Sequence, residues 1–288
     1  MKVSGNSAIV YINLDRVPER RKFMEKELNS VGLSNTSRFS AIDAKKEGAL
    51  NHARFISGAG DRWSLPKSAI ACFESHRAVW QIAVDHGLEA IVVFEDDVLL
   101  SSDIGKIILT FVESSTQFDV IKLDIGGLQS KCDKLTEISG LPVRKLLARI
   151  DSAGAYILSN SGAKKLLQRS KIYGDTLDDF LYTPLRDWRM YQLFPAAVAQ
   201  VVYLNKFKDK FNHYMENKVL ESEREEAPEI NPQNLPKGPF WFRMRKEFRR
   251  MQKSLHWRLK GKTKLLQQGG YYGLIPISKK FEVRFSKK

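Results

Sequence analysis

The chain has 288 residues, of which 43% are hydrophobic and 28% charged, with two cysteines and a formal net charge of +14. That is enough chain for one large core, or one core with an appended segment, and the composition excludes disorder of the whole. No apolar run approaches the roughly 18 residues a membrane-spanning helix needs, and the stretch from Ala8 to Leu14 is cut by Asp15 too early for a signal-peptide core, so a cytoplasmic location is expected.

In chain order, Ala8 to Leu14 is β-branched and aromatic and predicts a strand; Pro18 and the charged run after it predict a turn into a helix from about Glu19. Ser68 to Val84 has helical spacing and ends at Gly87, and Ala90 to Phe94 is a short apolar run that stops at Glu95, Asp96 and Asp97. Asp119 to Asp124 predicts another strand, turned by Gly126 and Gly127, and Ala153 to Leu158 a third, with a helix from Ser161. Strands alternating with helices predict an α/β sheet rather than a bundle or a sandwich.

The charge is unevenly placed. Met1 to Pro236 holds 31 basic and 31 acidic residues, whereas Lys237 to Lys288 holds 16 basic and two acidic, so the excess belongs to the C-terminal segment. Acidic residues and then Pro228, Pro232, Pro236 and Pro239 predict a linker over 221–239 between a catalytic domain at 1–220 and a basic segment at 240–288. In that segment Trp241, Met244, Phe248, Met251, Leu255 and Leu259 recur at helical steps among Arg243, Lys246, Arg249, Arg250, Lys253 and Lys260. A basic amphipathic helix of this kind suits the anionic inner face of a membrane, where each basic residue contributes about 1 kcal/mol. Packing of the stripe against the catalytic domain is the other reading, and binding to nucleic acid is not expected.

Three adjacent carboxylates at the mouth of a buried strand require compensation by a cation or by hydrogen-bond donors. Alternation along an extended chain lets Glu95 and Asp97 face one side, a pair suited to a hard divalent cation; a solvated loop capping the next helix is the alternative. Cys72 and Cys132 lie far apart with no Cys-x-x-Cys spacing, and read as packing residues rather than a disulfide or zinc site. His76 falls on the helix face with Cys72, Phe73, Val79, Trp80 and Ala83, which favours a core or supporting histidine.

Several motifs occur in an order that resembles glycosyltransferase family 25, which includes lipooligosaccharide galactosyltransferases and collagen galactosyltransferase domains. They are Tyr11-Ile12-Asn13-Leu14-Asp15-Arg16 with Arg20-Arg21; Cys72 with Ser75-His76 and Trp80; Phe94-Glu95-Asp96-Asp97-Val98; Ala155-Tyr156-Ile157-Leu158 with Gly162-Ala163; and Asp178-Asp179-Phe180-Leu181 leading to Tyr191-Gln192-Leu193-Phe194-Pro195. The resemblance covers roughly Ala8 to Gln200 and implies a GT-A type fold, here followed by a basic helical C-terminal extension. It also implies a UDP-sugar donor, with UDP-galactose first and another UDP-hexose second, and inversion at the anomeric carbon. The acceptor it implies is a lipid-linked saccharide, a core hydroxyl of lipopolysaccharide or lipooligosaccharide.

Under the resemblance Glu95 and Asp97 correspond to the acidic motif that holds manganese or magnesium, Asp96 contacts the ribose, and Asn13, Asp15 and Arg20 line the donor site. Asp178 is the leading general base, with Asp179, Asp151 and Asp124 as competitors and a helix N-cap as its alternative role. The chain departs from its relatives at Ser68-Ala69-Ile70-Ala71 and at Glu74, which leaves donor identity less determined than fold. A noncatalytic adaptor in a glycan-assembly complex and a nucleic-acid binder acting through the tail are the two rival readings.

Overall fold

A computed structural model describes residues 6–203, 235–257 and 261–286. The segment 221–234 of the expected linker lies outside the described residues, as do Leu259 and Lys260.

The N-terminal half follows the predicted alternation. Strand β1 (Ser7–Asn13) leads into helix α1 (Pro18–Ser30), whose first residue is the proline, the position where a missing N–H costs nothing. Strand β2 (Ser37–Ser40) precedes α2 (Lys67–Asp85), and β3 (Ala90–Glu95) and β4 (Val98–Leu100) flank the acidic turn. Helix α3 (Ile104–Val112) precedes β5 (Val120–Lys122), the antiparallel strands β6 (Ser130–Ile138) and β7 (Leu141–Leu146), and β8 (Ala155–Ser159). Helices α4 (Asn160–Arg169) and α5 (Leu177–Leu181), then β9 (Met190–Leu193) and β10 (Val198–Gln200), complete the half. The C-terminal segment adds α6 (Phe240–His256), α7 (Lys262–Gln267), β11 (Tyr271–Gly273) and α8 (Lys279–Ser286).

Nine strands form one mixed sheet in the order β11-β6-β7-β9-β5-β8-β3-β1-β2, and β4 pairs separately with β10. Strands β2, β1 and β3 run parallel, as do β5 and β9, while β8 lies antiparallel between β3 and β5. Alternation divides the core into two layers. Val10 and Ile12 of β1 face Phe73, Val79 and Trp80 of α2; Ile9 and Tyr11 face Met24 and Leu28 of α1 and Ile104, Ile108 and Phe111 of α3.

Two expectations change here. The C-terminal segment is more than a helical appendage, because β11 extends the main sheet by pairing antiparallel with β6, and the Phe281 side chain is fully buried. Arg284 reaches Glu27 at 3.0 Å and also bonds the carbonyl of Leu100, joining α8 to α1 and β4. Both ties exist only in three dimensions; the local pattern showed charge and helix. The amphipathic stripe, expected at a membrane face with packing on the catalytic domain as its alternative, packs in part. Phe242 is buried against Trp63, ring centroids 5.4 Å apart, while Trp241, Met244, Phe248 and Met251 remain exposed.

Candidate active site

The C-terminal ends of β1, β3 and β5 open on one edge of the sheet, where the start of the antiparallel β8 also lies, and the crevice outside such strand ends is where open α/β sheets bind ligands. Asn13 ends β1 and Glu95 ends β3, so pairing of the two strands brings the motifs together from 82 residues apart.

The acidic triplet is not a solvated loop. Asp96 and Asp97 are buried, at 7% and 8% exposure. The Arg20 guanidinium lies 2.6 Å from Asp96 and 3.1 Å from Asp97, and Asn13 Nδ2 donates to Asp96 at 2.7 Å. The compensating charge required by the sequence is therefore supplied in part by Arg20. Burial pushes the Asp96 carboxyl up to about 6, against the lowering effect of Arg20.

Glu95 and Asp97 face the same side, as alternation predicts. Gln200 Nε2 donates to Glu95 Oε2 at 2.5 Å and to Asp97 Oδ1 at 3.0 Å, so two carboxylate oxygens converge on one electropositive group. Such a hard-oxygen pair fits manganese or magnesium. The backbone holds the pair in place: Glu95 N–H donates to Gly154 O at 2.8 Å, and Val201 N–H to Asp97 O at 3.0 Å.

Gln200 was absent from the candidates read in the sequence. It ends β10 opposite Val98, which places it beside Asp97. Its carbonyl oxygen accepts from Ser152 Oγ at 2.6 Å, which orients the amide N–H group toward the carboxylates. Ser152 also bonds Asp124, and Asp124 Oδ1 accepts from Lys122 Nζ at 2.6 Å, with both side chains wholly buried. Burial lifts the Asp124 carboxyl to about 6, with Lys122 working the other way. Space is tight: a Cβ on Gly154 would lie 2.5 Å from Gln200 Cγ. The legible signal was Lys122, a cation inside an apolar strand, which has to be paired.

The other candidates divide. Asn13 and Arg20 join the triplet directly. Asp15 does not; it is half exposed and held by Arg38 at 2.5 Å, which keeps its carboxyl below the usual range. Arg38, missed in the sequence, also donates to Asn13 Oδ1 at 3.0 Å and so links Asp15 to the site edge. Arg16 pairs with Asp43 at 2.8 Å, and Arg21 with Glu25 one helical turn away. Glu74 is buried and bonds the Arg54 backbone and guanidinium at 2.8 and 3.3 Å, which is how a charged side chain occupies this helix position.

Asp178 lies in the first turn of α5 and is half-buried; the N-cap is Thr176, so the capping alternative does not describe it. Its backbone carbonyl accepts from the Tyr182 N–H at 3.0 Å. Its competitors serve other ends: Asp151 clamps the Gly127 and Leu128 N–H groups at 2.7 and 3.1 Å, Asp179 pairs with Arg62 at 3.1 Å, and Asp124 pairs with Lys122.

Residues 6–181 match the family described as Glycosyltransferase family 25 (LPS biosynthesis protein). The chain is 27% identical over 202 residues to the lacto-N-neotetraose biosynthesis glycosyltransferase of Neisseria meningitidis, covering 65% of this chain and 71% of that one. It is 28% identical over 162 residues to a lipooligosaccharide biosynthesis protein of Haemophilus influenzae, covering 54% and 60%. It is 31% identical over 177 residues to the human inactive glycosyltransferase 25 family member 3, covering 57% of this chain and 29% of that protein, so it spans under a third of that relative's length. Among solved structures, a glycosyltransferase involved in glycosylation of the major capsid of PBCV-1 aligns over 68% of this chain and 92% of its own, with a TM-score of 0.37 and 11% identity. The chain belongs to glycosyltransferase family 25.

Proposed function

We propose that the chain transfers a hexose, galactose first among the candidates, from a UDP-sugar to a hydroxyl of a lipid-linked core saccharide, with inversion in a single displacement. The observation that supports this most is the convergence of Glu95 and Asp97 on one point at the C-terminal edge of the sheet, beside Arg20 and Asn13. Glu95 and Asp97 hold manganese or magnesium, which when bound supplies charge stabilisation to the departing diphosphate. Arg20 neutralises Asp96 and Asp97 in the free protein and is placed to meet donor phosphate oxygens as they arrive. Asn13 and Asp96 orient the ribose end, with Asp15 and Arg38 at the rim. Asp178 accepts the acceptor hydroxyl proton as that oxygen attacks from the face opposite the diphosphate.

The acceptor approaches along the α5–α6 side. A cavity of about 580 Å³ between Arg62-Trp63 and α6 is lined by Arg62, Trp63, Lys237, Phe240, Arg243 and Lys246, with Glu247 also on its wall, a mainly cationic and aromatic lining suited to an anionic glycolipid. Arg62 ties this cavity to Asp179, the neighbour of Asp178. The exposed Phe240, Trp241, Met244, Phe248 and Met251 of α6 then rest on the cytoplasmic face of the inner membrane. No helix among the described residues is long and apolar enough to cross a membrane.

The test is hydrolysis and transfer with a panel of UDP-sugars, with and without manganese, in wild type and Asp97→Ala. Metal-dependent turnover of one donor, lost in a folded Asp97→Ala, is expected. A second reading, a noncatalytic adaptor, is favoured by the existence of relatives named inactive; absence of donor binding and turnover under every condition would establish it over ours.

A further inference from the structure

Cys72 and His76 stand four residues apart on α2, on one face of the helix, and point at the end of β3. Glu95 closes the group. Its Oε1 lies 3.4 Å from His76 Nε2 and 3.9 Å from Cys72 Sγ, and the three ligand atoms fall within 4.8 Å of one another. The second oxygen of the same carboxylate, Oε2, is turned to Gln200. Glu95 thus offers one oxygen to the site described above and one to a cluster that the proposed transfer does not use.

The contacts within this cluster are long: Cys72 Sγ donates to Glu95 Oε1 at 3.9 Å, and His76 faces the same oxygen. N–H···O bonds centre near about 2.9–3.0 Å, shorter than the His76–Glu95 separation of 3.4 Å. His76 is 1% exposed, so water does not solvate its Nε2 from bulk. Its Nδ1 has a proper partner, the Tyr156 hydroxyl at 2.9 Å, which Trp80 Nε1 fixes in turn at 2.8 Å. One ring nitrogen tied to an outer partner while the other aims at further ligand atoms is the arrangement of a metal-binding imidazole. Zinc bonds of about 2.3 Å to sulfur and about 2.0–2.2 Å to nitrogen and oxygen give tetrahedral edges of roughly 3.3–3.6 Å. The Nε2–Oε1 separation falls in that range, and the Sγ–Oε1 separation of 3.9 Å lies a few tenths of an ångström outside it.

We propose that Cys72, His76 and Glu95 form a site for a borderline divalent cation, zinc or cobalt, rather than for manganese or magnesium. Thiolate and imidazole set that preference. Binding takes the proton from the Cys72 thiol to solvent and uses His76 through Nε2, so that Nδ1–H donates to the Tyr156 oxygen, which also accepts from Trp80 Nε1, and the Tyr156 O–H gives up Nδ1 as its acceptor. Three protein ligands leave a fourth position for water. Because Glu95 belongs to both clusters, a cation here weakens the hard-cation position. This antagonism rests on the function proposed above; the site itself does not.

The experiment is titration of the metal-stripped full-length protein with Co²⁺, read by absorption. A thiolate-to-cobalt charge-transfer band with tetrahedral ligand-field bands is expected in wild type and in Cys132→Ala, and is lost in Cys72→Ser and in His76→Gln. Circular dichroism checks the fold, and Cys72→Ser, close in size and half-buried, decides the matter alone if His76→Gln fails to fold. No thiolate band in wild type, or a band that persists in Cys72→Ser, overturns the site. Manganese affinity, read by electron paramagnetic resonance, is expected to fall on the order of tenfold with zinc in wild type and not in Cys72→Ser; an unchanged affinity overturns the antagonism. A protein that binds cobalt but no manganese keeps this site and rejects the hard-cation reading.

Discussion

The acidic turn after β3 and the first turn of α5 both carry adjacent aspartates, and they are built differently. Asp96 and Asp97 are buried and cross-tied by Arg20 from α1, Asn13 from β1 and Gln200 from β10. Asp178 sits half exposed on a five-residue helix, and among the described residues no comparable side-chain bond holds it. Preorganised groups suit a ligand whose charge and shape are constant, as a nucleotide diphosphate is; a carboxylate left open suits a group that must meet an incoming hydroxyl. On the function proposed above, the difference separates binding geometry set by the fold from geometry completed by the acceptor.

The sharpest way to break this comparison is Asp97→Ala, expected to lower transfer by at least about a thousandfold with the fold retained. Steady-state rates and circular dichroism check it, and residual turnover within tenfold of wild type removes Asp97 from the site. Next is Lys122→Met, which leaves Asp124 buried without its cation and is expected to cost about 3–5 kcal/mol in denaturant unfolding. The double variant with Asp124→Asn should recover most of that loss; failure to recover would show that the pair is not the source of the cost.

Asp178→Asn is expected to lower kcat by about 10²–10⁴ with little change in donor KM, since the base acts on the acceptor. A rise in donor KM instead would move Asp178 to the donor side. The buried Asp124 sharpens the comparison through pH. Its carboxyl titrates near 6 in the fold, against 3.8 as its ordinary value, so between these values the folded state binds more protons than the unfolded one. Stability from this group is full below about pH 4, falls as pH rises to about 6, and is level above, a loss on the order of 2–3 kcal/mol. Denaturant midpoints across that window should slope downward in wild type and less so in Asp124→Asn. The smallest effect on the fold is expected from the exposed face of α6: Trp241→Ala with Phe248→Ala should change stability by about 0.5 kcal/mol or less. The same pair should reduce cosedimentation with anionic vesicles; unchanged binding would remove α6 from the membrane.

Much of the donor side was legible because its parts are local. The apolar run into Glu95-Asp96-Asp97 predicted a buried strand ending in an acidic turn, and β3 ends at Glu95. Alternation predicted that Glu95 and Asp97 share a side, and both meet Gln200. What escaped was every partner brought from afar: Gln200 lies 103 residues from Asp97, and Arg38 and Ser152 come from other strands and loops. Cys72 reads as packing in the sequence, on the grounds of no Cys-x-x-Cys spacing and no nearby histidine pattern, whereas in space His76, one helical turn on, and Glu95 stand beside it.

By itself the sequence determined the α/β alternation, the placement of the acidic triplet at a strand end, the concentration of basic charge after Lys237 and the family. These follow from periodicity, from short-range chemistry and from ordered motifs, all of which are written along the chain. Only the tertiary structure decided that β11 and α8 pack onto the main fold and that Arg20 faces the triplet while Asp15 turns to Arg38. It also decided that one carboxylate, Glu95, meets Gln200 through one oxygen and His76 and Cys72 through the other. The reason is physical: a charged side chain accepts any partner of suitable sign, and strand pairing and helix packing choose which one stands within 3 Å.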